Sequence, residues 1–384
     1  MTGLPLFPVT TVGSWPRPRE LLHAQRLKRQ GRLSHQEFHQ IADRAVLEAL
    51  RLQEQAGVDV VTDGEQRRDN FFSFVAESLE GVTLMTLAEM LDFVEDKAGF
   101  ERILQTLDVP AYAISNATCV GKVRRRQPLA VHELRFLKQH TQQRVKVPLP
   151  GPYLLTRAMY VPSLSRYAYP TKEDLGEDVV QVLREEMEAL VAEGADFIQL
   201  DEPVLTELVF TQGQTRTFMC AALAARKDPT EELEFATYLI NRVVEGFQDR
   251  VRVGLHLCRG NWSQNEATLL RGSYHPLVPY LERLKVRQLV LEYATQRAGD
   301  LLHFRGKELG LGVVNPRTQG VESEMEVRQA VLRALALYPA ESLWLNPDCG
   351  FGTFSLRPVN TPEIAFKKLQ SVAAAARSLR SQAG

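Results

Sequence analysis

Six apolar, β-branched runs, at 145–149, 197–201, 251–257, 288–292, 309–314 and 343–346, recur along the last two-thirds of the chain. Runs of this length and composition are buried strands. The stretches at 173–195, 231–248 and 324–337 that separate some of them carry the apolar spacing of helices packed on one face. Two earlier runs join the series. One starts at Thr10 and ends in the proline-stiffened loop Ser14-Trp-Pro-Arg-Pro18; the other covers 58–65. Between them, Ser34-His-Gln-Glu37 has the form of a capping box, predicting a helix that runs to about Gln55 and stops at Gly57. Eight strands, most followed by a helix, predict an α/β protein with a parallel sheet closed into a (β/α)8 TIM barrel. No linker rich in Gly, Ser or Pro divides the chain, so residues 1–384 are expected to form a single barrel domain. The less regular stretch of about 66–143 is expected as an elaborated insertion after the second strand, covering part of the barrel mouth. It holds expected helices near 86–95 and 98–107, an extended piece at 111–119, and the basic run Lys122-Val-Arg-Arg-Arg126, read as a solvated hairpin.

In a barrel of this kind, active sites gather at the C-terminal ends of the strands. Ser14, Asp63, Glu65, Asp201, Glu202, His256, Cys258, Glu292, Arg317, Asp348 and Cys349 all fall at or just past such ends. His256 and Cys258 are two apart on one strand, so an imidazole and a thiol project to the same side. Glu292 and Cys349 each close a further run. These four nitrogen, sulfur and oxygen donors suit tetrahedral zinc, and one weak carboxylate leaves a position that a substrate can take. A buried cysteine more often serves as a small core hydrophobe. Four donors at the ends of three strands, in a chain with four cysteines, outweigh that reading.

The formal charge of -1 and pI near 6.7 give no electrostatic case for nucleic acid or an anionic membrane. No apolar run approaches the roughly 20 residues that span a bilayer, and the N-terminus lacks the pattern of a signal peptide. So few cysteines do not make a disulfide framework, which points to a cytoplasmic protein.

The motifs Val12-Gly-Ser-Trp-Pro-Arg-Pro18, Asp63-Gly-Glu65, Gly151-Pro152, Leu200-Asp-Glu-Pro203, His256-Leu-Cys258, Glu292 and Asn346-Pro-Asp-Cys-Gly350 occur in this order. Their order and spacing resemble the C-terminal catalytic barrel of the cobalamin-independent methionine synthase family, over nearly the whole chain. The larger members carry a second, N-terminal barrel; this chain resembles the short, single-barrel members. The resemblance implies that His256, Cys258, Glu292 and Cys349 ligate a catalytic zinc ion. That ion would bind the thiol of homocysteine and make it a nucleophile for a methyl group. It further implies that Glu65 and Asp201 hold the α-ammonium of the substrate, and Gly13 and Ser14 its carboxylate.

Two departures bear on the methyl donor. The larger enzymes have a Trp after Gly-Pro that stacks on the pterin of methyltetrahydrofolate; here Ala158 stands near that position, with Tyr153 and Tyr160 as alternative faces. They also have a His proposed to protonate the leaving folate nitrogen. Here Val314-Asn-Pro-Arg-Thr318 puts Arg317 near it, and arginine donates no proton at useful pH. A methylated corrinoid, free or carried by a corrinoid protein, needs no such proton and is the alternative donor. Two other functions compete with methyl transfer to homocysteine. Epoxyalkane:coenzyme M transferases share the zinc-thiolate chemistry, but coenzyme M has no ammonium for Glu65 and Asp201 to hold. A structural zinc protein without chemistry favours closed, cysteine-rich knuckles over ligands spread along the chain. Uroporphyrinogen decarboxylase shares the barrel superfamily but needs no zinc.

Overall fold

A computed structural model of the chain describes residues 3–94, 97–99, 101, 114–210 and 228–383. The apolar runs form a parallel sheet of β1 (Val60–Val61), β4 (Arg144–Pro150), β5 (Phe197–Asp201), β6 (Arg252–Leu257), β7 (Gln288–Leu291), β8 (Glu308–Val314) and β9 (Leu343–Pro347), in that order. The expected first strand closes the barrel, but only as isolated bridges. Val9 pairs with Leu345 of β9 and Thr10 with Val60 of β1. The Thr10 amide donates to Leu345 O at 3.0 Å and the Val60 amide to Val9 O at 3.1 Å. Local chemistry explains why this stave is so short. Pro8 has no N–H to give, and the Val9 amide is taken by the Asp59 carboxylate at 2.8 Å, so neither donates to a neighbouring strand.

Helices cover the outside of the barrel. Lys172–Ala192, Pro229–Val244 and Glu324–Ala334 match the expected stretches, starting at or just before them and ending a few residues short, and Pro362–Ala383 follows the last strand. The helix His35–Ala56 starts at the predicted capping box. Ser34 Oγ accepts from the Glu37 amide at 3.2 Å, while the Glu37 carboxylate takes the Ser34 amide at 2.9 Å. It ends at Gly57, whose φ of 90° is open to glycine and few other residues.

Between β1 and β4 the chain leaves the barrel. β2 (Leu79–Thr86) and β3 (Ser115–Arg125) form an antiparallel pair of their own, and the basic run lies on its second strand. Lys122 sits 4.0 Å over the Tyr169 ring and Arg125 pairs with Glu186 at 2.8 Å. A short helix at Leu87–Met90, followed by a 3-10 turn at Leu91–Phe93, stands where a helix near 86–95 was expected. Most of the second expected helix, and residues 111–113 of the extended piece, lie outside the described residues.

Inside the barrel, Val12, Val60, Phe197, Val290 and Trp344 form a separate apolar cluster, with Phe197 and Trp344 edge to face at 5.7 Å. Above it the interior turns polar, with Lys146, Gln199 and Asn346 all buried. This polarity lies beneath the mouth. Among the described residues, no helix is long and apolar enough to cross a membrane.

Candidate active site at the barrel mouth

The C-terminal ends of β5, β6 and β9 bring Asp201, His256, Cys258 and Cys349 around a pocket of about 390 Å³, which Ser14 and Glu65 also line. Its centre is a group of three donors. One ligand atom each from His256, Cys258 and Cys349 lies within 4.8 Å of the others, all buried. Asp201 and His256 are neighbours in strand register.

The His256 ring is oriented from behind. Its Nδ1–H donates to the Val290 carbonyl at 3.0 Å, which leaves Nε2 buried without a hydrogen-bond partner. A carbonyl only accepts, so this contact fixes the tautomer that presents a lone pair at Nε2. Burial works to lower the His256 pKa, but the neighbouring Cys258 and the charges of Asp201 and Glu292 outweigh it and raise the metal-free group to about 9, so the Nε2 lone pair is freed only when an ion displaces the proton there. A thiol hydrogen bond from Cys349, with His256 beside it, holds the Cys258 thiol far below its ordinary value. An imidazole and two thiols that share protons, with one orphaned ring nitrogen, fit a soft divalent ion that displaces those protons.

Glu292, the fourth expected donor, is not one of this group of three and is paired with arginines. Its carboxylate lies 2.8 Å from Arg297, 3.3 Å from Arg259 and 3.7 Å from Arg317, and it also accepts the Arg259 amide at 3.0 Å. Burial raises its pKa, yet Arg297, Arg317 and Arg259 outweigh burial and hold it below the usual carboxylate range. Arg317 is buried, donates to Asn261 Oδ1 at 3.3 Å, and is not among the pocket-lining residues; Asn261 is.

The two expected ammonium-binding acids both reach the pocket. Glu65 has a φ of 53°, strained for a residue with a side chain, and is 2 % exposed. One carboxylate oxygen is buried with no partner, and burial, opposed by Arg68, pushes the group up to about 8. A surface pairing of Glu65 with its arginine neighbours is absent: Arg67 pairs with Asp43 and Arg68 with Glu133, each at 2.5 Å. Asp201 is raised to about 6 by burial, with His256 opposing. Gly13 does not line the pocket, but a Cβ there would stand 2.2 Å from Glu65 Oε1, so the missing side chain makes room for that acid. Ser14 packs on Gly350, beside Cys349, and accepts the Gly352 amide at 3.3 Å.

Tyr153 and Tyr160 face away from the pocket and serve packing. Tyr153 hydroxyl donates to Glu232 at 2.5 Å, and that of Tyr160 to the Pro170 carbonyl at 3.1 Å. Sequence reasoning missed Phe71, Asn261 and Thr353 in the pocket wall, and Arg259 and Arg297 around Glu292. Arg259 had a signal, since it lies just past the end of β6, whereas Arg297 sits in a later turn of the loop after β7. Phe71 and Thr353 had none, because loop packing brings them in.

The chain matches the family described as cobalamin-independent synthase, catalytic domain, over residues 7–377. It is 31% identical over 371 residues to a methionine synthase of Thermococcus kodakarensis, covering 95% of this chain and 91% of that protein. A methionine synthase of Saccharolobus solfataricus is 30% identical over 387 residues, covering 100% and 97%. Among solved structures, a B12-independent methionine synthase from Shewanella sp. W3-18-1 in complex with selenomethionine superposes with a TM-score of 0.73 at 24% identity. That match covers 98% of this chain and 99% of the other. A putative B12-independent methionine synthase from Listeria monocytogenes gives 0.70 at 19%, covering 98% and 99%.

Proposed function

The chain belongs to the cobalamin-independent methionine synthase family and is a methyltransferase; from that premise we propose that it methylates the thiol of homocysteine to give methionine in the pocket at the barrel mouth. The observation that carries this reading is the buried group of His256, Cys258 and Cys349, open on one side to a pocket that also holds Glu65 and Asp201.

We read the three donors as the holders of zinc. Three protein ligands with an open position are the count of a catalytic rather than a structural site. Glu292, expected as the fourth, is committed to Arg297, so the open position is read as the substrate thiol's. Zinc held there lowers the pKa of a thiol that reaches it, so that thiolate exists at neutral pH.

The protein's own residues do the rest. The Val290 carbonyl keeps His256 in the ligating tautomer. Glu65 and Asp201, acids in a sheltered pocket, take the substrate ammonium, and Ser14 lies where the substrate carboxylate fits. This cradle favours an amino-acid thiol over coenzyme M, which has no ammonium. The substrate's sulfur–methyl bond forms as the donor's bond to the methyl breaks, its electron pair leaving with the donor. Arg317 donates to Asn261 in the pocket wall and supplies no proton. The donor read here is therefore one whose leaving group needs none, such as a methylated corrinoid.

The test is to incubate zinc-loaded protein with homocysteine and, separately, methyltetrahydrofolate or methylcobalamin, with an epoxide plus coenzyme M as control. Methionine is the expected product. Turnover confined to the epoxide and coenzyme M pair overturns the reading.

A further inference from the structure

Along β5 the side chains of Phe197, Gln199 and Asp201 share the interior face of the barrel, because alternate residues of a strand point to one side. Asp201 reaches the pocket; Gln199, one layer below, does not. Gln199 is 0% exposed, and its amide makes three contacts. Its Nε2 donates to Asp201 Oδ1 at 2.8 Å and to the Val12 carbonyl at 2.9 Å, and its Oε1 accepts from Lys146 Nζ at 3.1 Å. Lys146 rises from β4, passes 5.3 Å over the Phe197 ring, and also donates to the Thr11 carbonyl.

These partners leave the amide one orientation. A carbonyl only accepts, so a flipped Gln199 would set its oxygen against the Val12 carbonyl and the Asp201 carboxylate together. With the amide held, Oδ1 of Asp201 is occupied and the carboxylate cannot swing freely. Its second oxygen is the one left to receive an N–H from a ligand. Val12 belongs to the same wall, since it lines the pocket. The chain of contacts thus ties the buried lysine to the pocket acid and to the segment that closes the barrel.

The geometry points to Gln199 and Lys146 as positioning residues that set the Asp201 carboxylate for the substrate's α-ammonium, and so set selectivity for an amino-acid thiol. This rests on the reading of Asp201 as an ammonium acceptor. Neither residue touches the substrate. Both act through one carboxylate, so their loss is felt only by ligands that carry the amine.

The experiment compares homocysteine with γ-sulfanylbutyrate, the same thiol acid without the amino group, by calorimetric binding to the zinc-loaded full chain. Gln199→Met and Lys146→Met keep bulk while removing the polar contacts. The expected result is a homocysteine Kd raised about tenfold or more, the scale of one charge-assisted hydrogen bond. The γ-sulfanylbutyrate Kd and the zinc content stay as in the parent protein. Lys146→Arg, which retains a donor, restores part of the loss. The double variant loses little more than Gln199→Met alone, because both act through one link. If both thiols weaken equally, or neither does, the inference is overturned. Asp201→Asn separates the two layers of the argument. If Asp201→Asn abolishes the preference for the amine while Gln199→Met keeps it, only the positioning role falls. If Asp201→Asn keeps the preference, the ammonium reading falls and takes the positioning role with it. Should Lys146→Met fail to fold, Gln199→Met decides alone.

Discussion

The Arg317 guanidinium stands 3.7 Å from the Glu292 carboxylate and donates to Asn261 in the pocket wall. Glu292, expected as a zinc ligand, and Arg317, which stands near the position of the family's proposed proton donor, lie together in a buried cluster with Arg259 and Arg297. Such clusters respond unevenly to the loss of a member, because removing the shared anion leaves every cation unpaired.

Glu292→Gln is expected to destabilise the protein by about 3–5 kcal/mol, the range for breaking a buried pair. Arg297→Gln should cost less, since Arg259 and Arg317 still compensate the carboxylate. Urea unfolding of both variants measures this. An equal or reversed order would mean that the cluster does not centre on Glu292.

Purified protein is expected to carry one zinc ion per chain. Cys258→Ser and Cys349→Ser should each lose it while keeping the far-ultraviolet circular dichroism of the barrel. The core lies between strands and helices and within the barrel, below the mouth, so the fold does not depend on an ion there. Metal analysis decides; stoichiometric zinc in either variant removes that cysteine from the ligand set.

The metal-free protein should lose stability as pH rises from about 5 to about 7. Burial raises Glu65 and Glu202 to about 8, Asp348 to about 7 and Asp201 to about 6. In each case the folded state holds a proton that the unfolded chain has released, so the stabilisation is complete below the unfolded pKa and disappears as pH passes the folded one. Two groups oppose this trend: Cys258, whose thiol is held low, works in the opposite sense within the window but is outnumbered by the four raised carboxyls, and Lys146, lowered to about 7 by burial, does so above it. Urea midpoints across this range should fall, and Glu202→Gln should flatten the slope. A midpoint that rises with pH would contradict the assignment.

Methyltetrahydrofolate is expected to be a poor donor beside methylcobalamin. Proton help to a leaving nitrogen is typically worth about 10²–10⁴-fold, and a lost stacking face about 1 kcal/mol. Neither Tyr153 nor Tyr160 lines the pocket to replace that face. Initial rates of methionine formation with each donor test this, and equal or faster turnover with methyltetrahydrofolate would show that another group supplies the proton.

Much of the barrel was legible because its signals are local. A buried strand needs a short apolar run and a helix needs a periodic face, and each of β4 to β9 lies within a residue or so of its expected run. The first stave was harder. Its pairing is confined to Val9 and Thr10, because Pro8 and Asp59 remove donors that a longer ladder requires. That competition runs between residues about fifty positions apart and leaves no periodicity to read.

The site divides along the same line. That His256 and Cys258 project together follows from strand geometry alone, and that Cys349, Asp201 and Glu65 share their address follows from the order of strand ends. Which way each carboxylate turns does not follow. Glu292 sits one residue past β7, as a ligand would, yet three arginines from two other loops and its own claim it. Asp201 is held for the pocket by Gln199 and Lys146, whose contacts cross from strand to strand. Backbone placement is dictated by neighbours in the chain. The direction of a buried charge is dictated by the nearest opposite charge or hydrogen-bond partner in space, and only the closed barrel brings those together.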